Sequence, residues 1–257
     1  MLEVELNILF MTGGARENTL RFLLEKKRQV IAVVTPYLTE KNKRFENVIA
    51  MAIEFGVPVL QVDRSNITET LLKLDYKILV SCGFSYLIPK EAINKAKYAI
   101  NVHPTLLPKY RGYRSGPYII INGEKKTGVT IHFISDEFDK GDIIEQCEIE
   151  VSPFDTTKSL FRRCQKVEGP LLHSVIKQLE NKVFKASAQD ESQATVYNYL
   201  RTPKDSEVDP SKSLMELYNH IRACDPNEYP AFFYVAGQKV CIKLWRPDKP
   251  YEEFDLI

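Results

Sequence analysis

The sequence predicts an α/β fold, a mostly parallel sheet covered by helices and followed by a small C-terminal β-containing module. Three observations predict it. Short apolar runs alternate with helical patterns up to residue 103. The composition turns polar after about Lys185. A late aromatic-rich stretch, FFYVAGQKVCIKLWRP, folds back at Ala236-Gly237.

LNILFMT (6–12) is a continuous apolar run ended by Gly13-Gly14, the pattern of a strand buried on both faces. A helix follows from Asn18 to Lys27, with Leu20, Leu23 and Leu24 on one side. VIAVVTP (30–36) is a second buried strand closed by proline, and FENVIAMAIEFG (45–56) a helix with Gly at its end. VPVLQVD (57–63), YKILVSCG (76–83) and KYAINVH (97–103) continue the strands, with helices ITETLLKL (67–74) and IPKEAINKA between them. This alternation makes βαβ units and a Rossmann-like sheet, whose ligands lie outside the carboxyl ends of its strands.

GVTIHFIS (128–135) and IIEQCEIEV (143–151) read as paired strands joined by the turn DEFDKGD. Thr156 to Leu179 is a long amphipathic helix, with a kink or break expected at Gly169-Pro170. The first domain spans 1–185. The second, 186–257, holds a polar crossover, a helix over 214–224 and the hairpin over 232–247. The hairpin aromatics Phe232, Phe233, Tyr234 and Trp245 read as core, with a homodimer interface as the alternative.

Bulk properties narrow the function. A formal net charge of +1 gives no global field for nucleic acid or an acidic surface. No apolar run nears the ~20 residues that span a bilayer. The N-terminal MLEVELNILFMTGG has acids where a signal peptide carries bases. Five scattered cysteines without a CxxC fit a reducing compartment and argue against a zinc site or disulfide framework. The expectation is a cytoplasmic protein without a metal.

Gly13-Gly14 lacks the GxGxxG pattern and reads as a plain βα turn. Asn101 and His103 are two apart at the end of a strand, so they share one side. Asn can donate to a developing oxyanion, and His can do so or move a proton near neutrality. The turn DEFDKGD offers four acids, any of which could orient the imidazole; spacing does not choose among them. His132 reads as structural, and His173 and His220 have no ligand-type neighbours in sequence.

INVHPTLLPKYRG followed by GVTIHFISDEFDKGDII resembles the core signature of the 10-formyltetrahydrofolate-dependent formyltransferases, in order and spacing over about residues 6–180. The resemblance implies the formyltransferase fold. It implies a catalytic triad of Asn101, His103 and Asp139. It implies folate contacts from Phe84, Ser85, Tyr86 and Leu87 in GFSYLIP and from Ser135 and Asp136. The implied chemistry is attack of an amine on a formyl carbon. The proline position and the resemblance suggest a cis Leu107-Pro108 bond as a hypothesis, which the sequence leaves open.

Three acceptor classes fit that resemblance. Purine transformylases resemble the first domain alone. Methionyl-tRNA formyltransferases need a basic C-terminal region, whereas residues 186–257 hold eight Lys/Arg and twelve Asp/Glu, 8 − 12 = −4. The sugar-nucleotide N-formyltransferases are the most similar through YLRTPKDSEVD and IRACDPNEYPAFF. The expected acceptor is therefore a UDP- or dTDP-linked amino sugar, in the synthesis of N-formylated surface glycans. No nucleic-acid or membrane partner is expected. Arg201 and Tyr229 are placed near the nucleotide, and Arg111 and Arg114 near its phosphates. Asn219 and Arg222 read as helix-surface residues. A formyltetrahydrofolate hydrolase is the other alternative; it resembles the family with an added N-terminal regulatory domain.

Overall fold

The computed structural model describes residues 6–112, 115–197, 199 and 201–249. A seven-stranded sheet runs in the order β3-β2-β1-β4-β5-β6-β7. Its strands are β1 (Ile8–Met11), β2 (Val30–Pro36), β3 (Val59–Val62), β4 (Ile78–Ser81), β5 (Tyr98–His103), β6 (Lys126–Phe133) and β7 (Ile143–Glu150). The first five are parallel. The last two are antiparallel additions. The order reverses between β1 and β4, which places a ligand crevice at their carboxyl ends.

The continuous apolar runs follow from burial on both faces. Ile8 and Phe10 of β1 enter one core with Val33, Ile78, Val80, Ile100 and Val102. Leu9 and Met11 enter the opposite core with Ala32, Val34, Leu79 and Ala99. Each such side chain contributes roughly 1.5–3 kcal/mol by leaving water. The first core is covered by α1 (Glu17–Glu25), α2 (Glu46–Glu54) and α6 (Thr157–Asn181); α3 (Ile67–Leu72) and α4 (Lys90–Lys95) cover the second.

The expected break in α6 does not occur: the helix continues through Pro170. Pro170 is exposed, as is Lys166, whose carbonyl it deprives of a partner. Gly169 before it lets α1 approach; a Cβ there would lie 2.7 Å from Phe22 Cβ. A reciprocal cap opens the helix, with Thr156 Oγ1 accepting from Ser159 N and Ser159 Oγ from Thr156 N. The short helix α5 (Gly116–Ile121) was not anticipated; it buries Ile119 and Ile120.

The C-terminal part has α7 (Leu214–Ala223) and a hairpin of β8 (Ala231–Val235) and β9 (Gln238–Ile242). Positive φ at both Ala236 and Gly237 gives the turn sense that matches strand twist. A small third core gathers Val208, Leu217, Ile221, Cys224 and Ala231. Arg222 is not a surface residue. It is buried and donates to the carbonyls of Ser152 and Asp155, while Thr157 Oγ1 donates to Ala223 O. Of the hairpin aromatics, Phe232 is buried and Phe233 packs on the third core, but Tyr234 and Trp245 stand exposed. Among the described residues no helix is long and apolar enough to cross a membrane.

Candidate active site

Asn101 and His103 occupy the carboxyl end of β5. Antiparallel pairing with β6 sets His132 directly opposite Asn101, and Thr130 opposite His103. Residues opposite one another share a face, so three nitrogen-bearing side chains meet there. Asn101 Nδ2 lies 3.1 Å from His132 Nε2 and 3.4 Å from Asp139 Oδ1. His103 Nδ1 lies 3.6 Å from Asp139 Oδ2, and His132 Nε2 lies 3.6 Å from Asp139 Oδ1.

The surrounding carbonyls assign the tautomers. A carbonyl only accepts, so His132 Nδ1–H donates to Phe133 O at 2.8 Å and Nε2 is left to accept from Asn101. Likewise His103 Nε2–H donates to Tyr110 O at 2.9 Å, and Nδ1 faces the carboxylate.

Asp139 sits in the turn between β6 and β7 with φ +55, a left-handed conformation that Asp tolerates better than most residues. Gly141 permits the turn to close on β6, since a Cβ there would lie 1.7 Å from Phe133 O. Gly112 N donates to Asp139 Oδ2 at 2.9 Å. Burial alone would raise the Asp139 carboxyl; the neighbouring His103 and His132 rings and the Gly112 N–H outweigh it and hold it well below the usual range. Burial lowers His103 below its ordinary value, against the opposing pull of Asp139 and the Tyr110 carbonyl.

The proline loop is fixed from β6 and β7. Thr130 Oγ1 donates to Thr105 O and accepts from Leu107 N; Gln146 Nε2 donates to Leu107 O. The Leu107-Pro108 peptide is cis.

Beside this cluster, Gly13 at the end of β1 meets the loop after β4. Its N–H donates to Gly83 O at 3.0 Å, and a Cβ would fall 2.2 Å from Ser85 Oγ. Phe84 and Tyr86 pack edge to face with centroids 5.7 Å apart. Lys90 Nζ reaches Asp136 at 2.9 Å and ties this loop to the turn after β6. The two loops present Leu87 and Phe138, 74% and 76% exposed. An open cleft of about 530 Å³ is lined by Ser135, Asp136, Glu137, Lys140 and Glu191.

Residues 13–176, well over half of the chain, match the family model described as Formyl transferase. The chain belongs to the formyl transferase family. A methionyl-tRNA formyltransferase of Bacillus cytotoxicus is 35% identical over 255 residues, 95% of this chain and 79% of that protein. Two solved structures are similar. A 4-N formyltransferase from Francisella tularensis has a TM-score of 0.73 at 26% identity, covering 93% of this chain and 96% of that one. The N-formyltransferase from Helicobacter canadensis, in complex with folinic acid and dTDP-3-aminofucose, has a TM-score of 0.72 at 22% identity, covering 93% and 86%.

In this formyl transferase the expected trio Asn101, His103 and Asp139 is brought together. Of the expected acceptor contacts, Arg111, Arg201 and Tyr229 fall among the described residues. Arg111 is buried, and its guanidinium is taken up by Gln189 and Glu191, so it is no free cation for phosphate. Arg114 lies outside the described residues. Arg201 donates to Asp205 O and stands over the Tyr118 ring, 5.9 Å from its centroid. Tyr229 is 43% exposed. Sequence reasoning missed His132, whose signal is its alternation with Thr130 on a strand paired antiparallel with β5. It also missed Gln189, which no pattern in the crossover marks.

Proposed function

We propose that the chain transfers a formyl group from 10-formyltetrahydrofolate to the amino group of a nucleotide-linked amino deoxysugar. The observation that carries the chemistry is the convergence of Asn101, His103 and Asp139 at the carboxyl end of β5. The folate donor is a substrate. The apolar Leu87 and Phe138, exposed on the loops after β4 and β6, suit a flat heterocycle and its aryl extension.

In the reaction, the amine nitrogen attacks the formyl carbon and the carbonyl π pair moves to oxygen. Asn101 turns one N–H from its protein acceptors to that oxyanion. His103 Nδ1 takes a proton from the amine, and Asp139 beside it stabilises the imidazolium. Collapse breaks the bond to N10, and that nitrogen takes up the proton. An amide and tetrahydrofolate result.

The sugar acceptor is supported by the net −4 of residues 186–257 and by the resemblance of YLRTPKDSEVD and IRACDPNEYPAFF to the sugar-nucleotide enzymes. A second reading, initiator methionyl-tRNA, is favoured by the 35% identity to the Bacillus enzyme. The deciding experiment is a formyl-transfer assay with 10-formyltetrahydrofolate, UDP- and dTDP-linked 3-amino and 4-amino deoxysugars, and charged initiator tRNA. Turnover of one nucleotide sugar supports the proposal. Turnover of the tRNA alone replaces it with the second reading, and formate release without an acceptor points to a hydrolase.

A further inference from the structure

We propose that Gln189, in the polar crossover beyond the first domain, is a positioning residue for Asp139. The proposal rests on the catalytic reading of Asp139 given above.

Gln189 uses its whole amide. Nε2 donates to Asp139 O at 2.7 Å and to Gly141 O at 2.8 Å. Oε1 accepts from Arg111 Nε at 3.0 Å and from Arg111 Nη2 at 2.7 Å. The opposite amide orientation would aim NH₂ at a guanidinium and oxygen at two carbonyls, so the assignment is fixed by chemistry.

Arg111 is the anchor of this arrangement. It is 1% exposed, and Nη1 and Nη2 also grip the Glu191 carboxylate at 3.0 and 2.7 Å. Its backbone N–H donates to Thr195 O, and its carbonyl accepts from Tyr197 N. The next residue, Gly112, donates to the Asp139 carboxylate. Asp139 is therefore held at both ends: Gln189 holds its carbonyl and Gly112 its side chain, and both depend on Arg111.

Such a hold has a physical purpose. Asp139 sits at φ +55, the left-handed region that most non-glycine residues avoid. Without external bonds the turn would relax, and the carboxylate would leave His103. Displacements near 1 Å at reacting groups cost on the order of 10²-fold in rate.

The bland alternative is that Gln189 only docks the crossover. Two substitutions in the full chain separate the readings. Gln189→Glu keeps the acceptor for Arg111 but replaces the donor aimed at Asp139 O and Gly141 O. Gln189→Leu removes both. Positioning predicts that each lowers kcat roughly ten- to a hundred-fold while KM for the donor stays within about threefold. Wild-type kcat in Gln189→Glu, or a raised KM with kcat intact, overturns the proposal. A second readout needs no acceptor: the His103 ring titration followed by NMR, assigned by its loss in a His103 variant. The groups facing that ring are Asp139, His132 and the Tyr110 carbonyl. Asp139 pulls the His103 titration upward, so Gln189→Leu moves the midpoint to lower pH; an unmoved midpoint overturns the proposal. If the wild type formylates no acceptor, the proposed function fails and the His103 titration still decides on Gln189.

Discussion

Nδ2 of Asn101 stands 3.1 Å from Nε2 of His132, its partner directly across the β5–β6 pairing. With the second N–H directed at Asp139, the amide plane of Asn101 is fixed from two sides. His132→Phe removes the acceptor, and kcat is expected to fall about tenfold, near the ~1.4 kcal/mol of a lost hydrogen bond. His132→Gln can return an acceptor near the Nε2 position and should recover most of that loss. Steady-state kinetics on the pair checks it; equal loss in both variants assigns His132 to packing.

The trio itself makes a sharper demand. Asn101→Ala, His103→Ala and Asp139→Ala should each fold and bind folate. Asn101→Ala should lose on the order of 10²–10³ in kcat, the usual cost of an oxyanion donor. The other two should also lose most turnover. Circular dichroism, folate binding and turnover measured together test the set. Near-normal turnover in any variant removes that residue from the trio.

Stability should decline as pH falls below about 6.5. Burial is the leading cause that lowers His103, His173 and His220 below their ordinary value. Between the folded and unfolded values the unfolded chain binds more protons, so the slope of stability with pH is positive there. Asp139 acts with the same sign further down. Its depressed carboxyl stabilises the fold above the unfolded value of 3.8 and loses that effect as pH falls toward the folded one. Thermal unfolding at pH 7.5, 6.5 and 5.5 checks the first window, and a flat profile would sink the argument.

A buried ion pair offers a test away from the site. Arg16 Nε lies 3.0 Å from Glu168 Oε2, with side chains 5% and 0% exposed. Thr19 Oγ1 adds a bond to the same carboxylate oxygen at 2.9 Å. Arg16→Met leaves a buried carboxylate without its cation and should cost about 3–5 kcal/mol. Arg16→Met combined with Glu168→Met should cost clearly less. Urea unfolding of the three proteins decides it, and additive losses would mean that the two residues act independently.

The parallel strands were legible because burial on both faces leaves continuous apolar runs bounded by Gly or Pro. VIAVVTP coincides with Val30–Pro36, and the hairpin turn falls on Ala236-Gly237. Helix α5 was not legible, because a six-residue apolar helix has too few turns to show a period. Helix α6 defeated a local rule, since the turns on either side of the exposed Pro170 are held by buried residues of the first core. In the site, Asn101 and His103 announce themselves by their spacing at a strand end. By spacing Asp139 was one acid among four; the resemblance singled it out, and the structure sets its carboxylate 3.6 Å from His103. Arg111 looked like a free loop cation, but its partners are 78 and 80 residues away.

The crossover also bears on how such chains can be recombined. Arg111 and Val196 form a parallel bridge, so a few residues beyond the composition shift at Lys185 have become an extra strip on the proline loop. A chimera joined at 185 would keep the whole catalytic trio yet import a foreign strip against it. One joined after Tyr197 would carry the native strip along. The natural seam for exchanging C-terminal segments between relatives therefore lies a dozen residues past the point where the composition changes.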